Sequence, residues 1–438
     1  MIMFIDREKE MGTLTDVARS KKAELVLVYG RRRVGKSTLL TEFAKREGAL
    51  YLLADVSENV LETLAQQAGG FVRFGNWEDF FTFLHTGPHR IIIIDEFQYL
   101  YAVNKAWPTI LQRWWEKLKE TDKKIILCGS LVSTITRIAS GYGSALYGRK
   151  TREMQIAPLP FRFIAKFFPK YTMAQLVEAY AILGGVPRYL EEFDSSLGIQ
   201  ENIRRHITDK TSFLYNEPMN LLFEEFRSPA PYVSILLAIT QGQVKFGEIA
   251  DASMMERHRL PKYLLVLERA GIIEKDVPVT ERRLKVKNTR YRIRDNFYRF
   301  WFTFVFRQKS LIEQGMEETV TGVVKEGLAP YVGRVFEDVC REFIIDTRFF
   351  PLTAIGKWWL KDREVDIMAV HKDRSLLCEC KWQDRVDARE VLASLKEKTA
   401  ELPGQKTYAL FAKSFREKFR EPGVLLFDLT EMKRRWGL

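Results

Sequence analysis

The sequence contains few cysteines and no long apolar run. Four cysteines occur among 438 residues, and none has the CxxC spacing or another metal-ligand spacing. This usage excludes a disulfide framework and is typical of a reducing compartment. No apolar stretch approaches the roughly 18 residues that a membrane span needs, and the N-terminal residues carry charge where a signal peptide has an apolar core. We therefore expect a cytoplasmic protein without a membrane segment.

The composition is that of a folded chain with several cores. Hydrophobic residues make up 46% and charged residues 29%, which excludes the low apolar content of a disordered protein. At roughly 150 residues per domain, the length predicts about three domains. Lys and Arg number 69 and Asp and Glu 57, so the net charge is +12. This excess favours a polyanionic partner, of which DNA is our prediction.

Residues 24 to 156 alternate short apolar runs with amphipathic segments. Fully apolar strands joined by helices are typical of a parallel sheet covered on both faces. We therefore predict an α/β domain of about five strands over residues 1–157. The five runs are ELVLVYG, ALYLLAD, RIIIIDE, KKIILCG and REMQIAP.

Four further regions are predicted after this domain. Residues 158–228 have helical spacing and are interpreted as a lid, and three helices followed by two strands over 229–307 predict a winged helix-turn-helix. Residues 308–325 are more polar, contain two glycines and are interpreted as a linker. Residues 326–438 follow the order helix, three strands, helix, strand, which predicts a second α/β domain.

The first strand runs into a phosphate-binding motif. GRRRVGKST fits G-x-x-x-x-G-K-[ST], in which the glycines let backbone N–H groups surround a phosphate. The following helix contributes the positive end of its dipole. Lys36 is expected to reach the terminal phosphates, and Ser37 to hold Mg²⁺. The predicted nucleotide-binding residues are Gly30, Arg33, Val34, Gly35, Lys36, Ser37 and Thr38.

Two acids end the apolar strand RIIIIDE. Carboxyl ends of parallel strands meet at the edge where ligands bind, so Asp95 is expected to hold Mg²⁺ and Glu96 to orient or deprotonate the attacking water. Ser130 ends the next strand, where its hydroxyl is expected either to sense the γ-phosphate or to cap the following helix.

The ordered set FIDREKE, GRRRVGKST, IIIIDEFQ, LCGS, ALYGRKTREMQIAPLPF and LGGVPRYL resembles the archaeal-type ATPases of the STAND branch of AAA+-like P-loop proteins. The resemblance covers about half of the chain and implies ATP as the nucleotide. It also implies that Arg149 meets the γ-phosphate, in the same chain or from a neighbouring copy. Pro187, after Gly184 and Gly185, matches the family's GGxP turn, through which the lid senses the nucleotide.

The third helix of the predicted winged helix carries His258, Arg259, Lys262 and Arg269 on its polar side. The wing that follows is also strongly basic. Such cations suit phosphate contacts, but a half-buried strand in a scaffold would expose them as well, so DNA contact and scaffolding both stay open. The wing cations are Arg282, Arg283, Lys285, Lys287, Arg290, Arg292 and Arg294.

The C-terminal region brings two acids and a lysine together. Asp366 lies in one strand of a predicted hairpin and Glu379 and Lys381 in the other, and Glu337 on the preceding helix is a further candidate ligand. This pattern resembles the PD-(D/E)xK nucleases, in which the acids hold Mg²⁺ and the lysine activates water. The Pro that usually precedes the first acid in these nucleases is absent, and Glu364 and Val365 stand before Asp366 instead.

These observations predict a Mg²⁺-dependent ATPase with a helical lid, a winged helix-turn-helix and a restriction-endonuclease-like C-terminal domain that acts on DNA. The alternative is a STAND-type regulatory switch or scaffold that binds a protein partner or a second copy, with an inactive nuclease-like fold. Stimulation of ATP turnover by DNA would favour the first function over the second.

Overall fold

We describe a computed structural model over residues 5–69, 71–130, 135, 138, 146–281 and 288–438. The chain divides into two compact units, residues 1–158 and 159–438. None of the helices in these ranges is both long and apolar enough to cross a membrane.

The first unit contains a five-stranded sheet in the order β2-β3-β4-β1-β5. Every pairing is parallel, with Leu27 beside Leu127 in β4 and Ile94 beside Leu127 on the other side. The predicted parallel α/β sheet is thereby confirmed, because the apolar runs can be buried only in a sheet with both faces covered. The strands are β1 Glu24–Tyr29, β2 Leu50–Leu53, β3 Ile91–Asp95, β4 Lys124–Gly129 and β5 Arg152–Gln155.

Helices cover both faces of this sheet. Alternation along β1 places Leu25 and Leu27 in one apolar core and Val26 and Val28 in the other. The carboxyl ends of the strands therefore sit on a rigid base that is buried on both sides. The helices are α1 Glu8–Arg19, α2 Lys36–Glu47, α3 Val60–Ala68, α4 Trp77–Thr86, α5 Gln98–Val103 and α6 Trp107–Leu118.

The second unit begins with short helices. The first of them has a capping box at Thr172 and Gln175, whose side chains each accept a hydrogen bond from the other's backbone N–H. A 3-10 turn at Phe161–Lys166 comes before these helices, and a π turn at Arg204–Thr208 lies among them. The helices are α7 Met173–Leu183, α8 Pro187–Leu190, α9 Ile199–Ile203 and α10 Glu217–Glu225.

Three helices and a two-stranded antiparallel sheet follow, in the order that the sequence predicts. Ile273 in the first strand pairs with Ile293 in the second, and an isolated bridge joins Lys245 to Arg290. Residues 282–287 of the predicted wing lie outside the described residues. The elements are α11 Ala230–Thr240, α12 Phe246–Ala252, α13 Leu260–Arg269, β6 Ile273–Asp276 and β7 Arg290–Ile293.

The segment predicted as a linker, residues 308–325, is helical, so that prediction was wrong. It contains a short helix and the start of a 31-residue helix. Val320, Val324 and Leu328 recur at four-residue spacing and are buried, which gives this polar segment one apolar face. The helices from here are α14 Asn296–Phe300, α15 Lys309–Glu313 and α16 Glu317–Thr347, with π and 3-10 turns at Trp301–Val305 and Phe306–Gln308 after α14.

A second five-stranded sheet follows, in the order β12-β11-β10-β9-β8. The pairs β8–β9 and β9–β10 are antiparallel, and β10–β11 and β11–β12 are parallel. The mixed pairing reflects two short connections followed by a helical crossover. The elements are β8 Ala354–Leu360, β9 Arg363–His371, β10 Arg374–Lys381, α17 Ala388–Lys398, β11 Gln405–Ala412, β12 Val424–Asp428 and α18 Leu429–Trp436.

Candidate functional site

The loop between β1 and α2 has backbone conformations that the motif requires. Gly35 has φ of 90° and Arg33 φ of 70°, both in the left-handed region. A Cβ added at Gly30 would lie 2.3 Å from the carbonyl oxygen of Ile156, so only glycine allows the chain to pass there. The glycines of the motif therefore fold the loop tightly at the end of β1.

Arg7 supports this loop from outside the motif. Its side chain is buried, and Nη2 donates to the carbonyl oxygens of Val34 and Ala157 at 2.9 Å each. The guanidinium thus joins the loop to the segment that follows β5. Sequence reasoning missed this role, because only the position of Arg7 within the FIDREKE segment hinted at it.

Lys36 begins α2, and its side chain is buried. The Nζ group donates to the carbonyl oxygen of Arg31 at 2.9 Å, so the ammonium lies over the loop. Burial lowers the pKa of Lys36, and the nearby carboxylates of Asp95 and Glu96 act in the opposite direction. The positive charge is therefore concentrated where the motif would hold phosphates.

Ser37 and Asp95 form the oxygen pair expected for a magnesium site. The Ser37 hydroxyl donates to Asp95 Oδ2 at 2.7 Å, although the residues are 58 positions apart. Tyr51 on β2 donates to the same oxygen at 2.5 Å, and burial next to Asp95 raises the pKa of Tyr51. Hydroxyl and carboxylate oxygens are ligands that Mg²⁺ prefers, so Ser37 and Asp95 fit the ion. The role of Tyr51 was not predicted, because nothing in its strand marks it.

Glu96 is held in position by two neighbours. Its backbone has φ of 54°, a left-handed conformation that is uncommon for glutamate and is often found at functional sites. Ser130 Oγ donates to its carboxylate at 2.8 Å, and Gln98 Nε2 donates to the same group. The structure thus places Ser130 as a donor to Glu96, whereas its predicted contact with the γ-phosphate stays a prediction.

Arg149 lies far from the loop within its own chain. Thr151 N donates to the carbonyl oxygen of Leu25, at the beginning of β1, and Arg149 is two residues farther from the loop. The guanidinium contacts Glu116 at the end of α6, with Nε 3.8 Å from Oε1. Since the phosphate loop follows the opposite end of β1, this arrangement contradicts a same-chain role. Contact from a neighbouring copy stays a prediction.

The GGxP turn lies in the second unit. A Cβ at Gly185 would be 1.8 Å from the carbonyl oxygen of Leu159, and Gly184 has φ of 65°. Pro187 is the first residue of α8, where its missing N–H costs no helical hydrogen bond. The local reason for this turn is therefore close backbone packing, and a role of Pro187 in sensing nucleotide stays a prediction.

Two cations of the predicted wing are ion-paired within the protein. Arg290 Nη1 lies 2.8 Å from Glu364 Oε2, and Arg292 bonds Asp338 on α16 at 2.8 Å. Arg292 also contacts Glu274 and Asp276 on β6. Acids from other elements thus neutralise Arg290 and Arg292, so for these two cations the scaffolding alternative fits better than contact with DNA phosphates.

Asp366 and Glu379 share one face of the C-terminal hairpin. The antiparallel pairing of β9 with β10 extends to Ile367 beside Cys378, so Asp366 and Glu379 are the next opposite positions. Asp366 Oδ2 accepts the backbone N–H of Cys380 at 2.8 Å. Burial, followed by repulsion from Glu337 and Glu379, raises the pKa of Asp366 to about 7. The predicted convergence of the two carboxylates is present.

Lysine side chains neutralise the negative charge of acids in this region. Lys381 Nζ donates to Glu379 Oε1 at 2.7 Å, and Lys398 on α17, which sequence reasoning missed, lies 3.4 Å from the same oxygen. Glu337 is instead paired with Lys357 at a β-bulge in β8. Within the described ranges, no three His, Cys, Asp or Glu side chains are grouped to hold a metal. The structure therefore does not support Glu337 as a third ligand, because Lys357 occupies its carboxylate.

Comparisons with known proteins agree with the first site. Residues 4–193 match a family described as an ATPase domain predominantly from Archaea, and residues 301–393 match archaeal and bacterial proteins of unknown function. The Walker-type ATPase PABY2304 of Pyrococcus abyssi has a similar fold, with a TM-score of 0.53 and 20% identity over 68% of this chain and 96% of that chain. The fold and site define a P-loop ATPase, an enzyme that binds and hydrolyses ATP.

Relatives extend the likeness over the whole chain. An uncharacterized protein of Methanocaldococcus jannaschii is 34% identical over 98% of this chain and 100% of its own length. An uncharacterized ATP-binding protein of Pyrococcus abyssi is 44% identical over 13% of this chain and 17% of its own length. The chain belongs to the same family as this Methanocaldococcus protein, and residues 4–193 match the archaeal-type ATPase domain.

Proposed function

We propose that this ATPase depends on Mg²⁺ and couples ATP turnover to DNA binding. The observation that carries the proposal is the convergence of Ser37, Asp95, Glu96 and Ser130 at the carboxyl ends of three neighbouring strands. Parallel α/β sheets bind their ligands at this edge. The contacts between these side chains give each of them a definite role in phosphoryl transfer.

Each residue of the site has its own role in ATP hydrolysis. Lys36 and the N-terminus of α2 supply positive charge to the terminal phosphates. Ser37 and Asp95 would hold Mg²⁺, which when bound neutralises phosphate charge. Glu96 orients the attacking water and accepts its proton. Ser130 and Gln98 keep the Glu96 carboxylate in place, so the geometry exists before the substrate arrives.

The candidate DNA surface is α13 in the second unit. Three helices followed by an antiparallel strand pair have the order of a winged helix, whose third helix enters the major groove. Lys262 and Arg269 on α13 are exposed and, within the described part of the chain, make no ion pair or side-chain hydrogen bond. Together with the net charge of +12, these cations support binding to phosphates.

Replacing Lys262 and Arg269 together by Ser tests this surface. We expect weaker binding to duplexes of any sequence and a flatter dependence of log K on log salt, by about 0.9 for each lost phosphate contact. Arg420→Ser is the matched control, because Arg420 is also exposed and without an ion pair in the described ranges. An unchanged affinity and salt slope in the double variant would exclude α13 as the DNA-binding element.

The C-terminal region supports metal-dependent DNA cleavage as a second activity. Asp366 and Glu379 lie opposite each other on one face, and Lys381 is two residues along the same strand, as in the PD-(D/E)xK pattern. A divalent ion held by the two acids would lower the pKa of bound water. Lys381 is placed to position that water, since its Nζ already contacts Glu379.

One incubation with labelled DNA, ATP and Mg²⁺ or Mn²⁺ tests both activities when cleavage and ADP are measured together. We expect ADP formation that DNA stimulates and a low level of cleavage. Lys381→Ala should remove cleavage and leave ADP formation unchanged, because the two sites lie in separate units. Cleavage that survives this substitution would assign the nuclease activity to a contaminant.

A regulatory scaffold is the second candidate function. The observation in its favour is that Arg292 in β7 pairs with Asp338 in α16, where both side chains are half-buried, since this pairing ties the predicted wing to the long helix. Nucleotide-dependent oligomerisation, measured by light scattering with ATP and with ADP, tests it. Oligomerisation without any effect of DNA on ATP turnover would favour the scaffold over the DNA-coupled enzyme.

A further inference from the structure

The second unit contains a cavity of about 460 Å³ that neither site described above uses. Its wall comes from α11, β6, β7, α14 and the π turn after it, α16, β8 and β9. Cavities of roughly 300 to 1,000 Å³ are typical of small-molecule sites. The cavity is therefore large enough to take a ligand of nucleotide size.

The residues that line the cavity include five cations and two acids. Asp276 and Glu364 are the acids in its wall. Asp276 is paired with Arg292, and Glu364 lies 2.8 Å from Arg290 and 3.9 Å from Lys357. Both acids are thus already neutralised by cations of the same wall.

Arg334 on α16 is a lining cation that neither acid neutralises. It is exposed in the wall of the cavity and, among the described residues, makes no hydrogen bond or ion pair through its side chain. Arg299, also in the wall, donates from Nη2 to Asn296 Oδ1 at 3.0 Å and lies 3.8 Å from Asp338, whereas its buried Nε has no hydrogen-bond partner in the described part of the chain. The Arg334 guanidinium and the Arg299 Nε group can therefore both donate to an anion, and guanidinium groups suit phosphate oxygens.

The rest of the wall is apolar and partly aromatic. Phe304, Tyr331 and Trp359 are buried residues that contribute to it. Gly327 approaches Phe304 so closely that a Cβ would lie 2.7 Å from its ring, and Pro330 has no N–H to continue the helical hydrogen bonds. This surface offers a planar, weakly polar group a place to pack beside the two arginines.

The cavity adjoins the acidic pair of the C-terminal hairpin. Lys357 lines it and binds Glu337, whose charge acts on Asp366. Glu364 also lines it, two positions before Asp366 on β9, and alternate residues of a strand share a face. A ligand in the cavity therefore lies next to the candidate cleavage site.

We propose that this cavity binds one phosphate-bearing nucleotide unit, with the phosphate on Arg334 and Arg299 and the base against the apolar wall. Two sources supply this chemistry, a free mononucleotide and the 5′-phosphorylated end of a single DNA strand. The proposal does not require that the C-terminal site cleaves DNA, so a failure of cleavage leaves it intact.

Calorimetric titration of the full chain tests the proposal. The Lys36→Ala background keeps the phosphate loop from contributing, and the probes are thymidine 5′-monophosphate, thymidine, and tetrathymidylate with and without a 5′-phosphate. We expect the monophosphate to bind and thymidine to bind much more weakly. Arg334→Gln should weaken the binding of the monophosphate by about tenfold, because one charge-assisted hydrogen bond is lost. Arg420→Gln should leave its affinity unchanged.

The outcomes separate the two sources and decide the proposal. If the 5′-phosphorylated tetranucleotide binds more tightly than the monophosphate, and Arg334→Gln removes this difference, the ligand is the end of a DNA strand. Equal binding of both assigns a free nucleotide. The proposal is overturned if the monophosphate fails to bind at millimolar concentration, if thymidine binds equally well, or if Arg334→Gln has no effect while circular dichroism shows a folded protein.

Discussion

The carboxyl group of Glu342 on α16 makes the stability of the second unit depend on pH. It is buried and accepts hydrogen bonds from Phe161 N at 2.7 Å and from the Tyr180 hydroxyl at 2.9 Å. Burial raises the pKa of Glu342 from 4.5 to about 7, and the two hydrogen bonds only partly oppose this rise. The folded protein thus keeps a proton that the unfolded chain releases near pH 4.5.

The sign and size of the effect follow from linkage. Between pH 4.5 and about 7 the folded state binds more protons at this site than the unfolded state, so stability falls as the pH rises. Below this window the stabilisation is fully present, and above it the loss is complete. The shift corresponds to roughly 3 kcal/mol of unfolding free energy, at about 1.4 kcal/mol per pKa unit.

Glu342→Gln isolates this contribution. The amide oxygen can still accept from Phe161 N, while the group no longer ionises, so the variant should lack the decline of wild type between pH 5 and 8. Urea unfolding followed by tryptophan fluorescence at both pH values measures the difference. Parallel pH dependence in wild type and variant would refute the reasoning, because it would show that Glu342 does not change its protonation in this window.

Four further predictions concern the two candidate sites. Lys36→Ala should abolish ATP binding in a filter assay, because the substitution removes the positive charge that would contact the terminal phosphates. Glu96→Gln should keep ATP binding and remove turnover, and hydrolysis at the parental rate would remove Glu96 from the water-orienting role. Tyr51→Phe should raise the Mg²⁺ concentration for half-maximal turnover by about tenfold, since it deletes a donor to Asp95. Crystals soaked in Mn²⁺ should show anomalous density beside Asp366, and Asp366→Ala should lose it.

The first sheet and the phosphate loop could be predicted because both are encoded locally. Four consecutive isoleucines before Asp95 fit a strand buried on both faces, and the glycine spacing fixes the loop. The contacts of Arg7 and Tyr51 could not be predicted, because each joins segments that are distant in sequence. Their side chains carry no signal until the order of the strands is known.

The features that the sequence left open or misplaced have equally specific causes. Arg149 follows a recognisable motif, but which edge of the sheet it occupies depends on the direction in which β5 pairs with β1. Arg292 follows the alternating pattern of an exposed wing, yet Asp338 neutralises it from 46 positions away. Residues 308–325 have glycines and polar residues typical of a linker, and the buried Val320 and Val324 on one helical face outweigh them.

The 31-residue helix α16 has a practical consequence for dividing the protein. At about 1.5 Å per residue it is roughly 46 Å long, and its side chains reach α7 through Glu342, β7 through Asp338 and β8 through Glu337. A fragment that starts at residue 326 would begin inside this helix and leave Arg292 without its carboxylate in the remaining part. Expression of the second unit should therefore start near residue 159, because no position between α14 and β8 separates its parts cleanly.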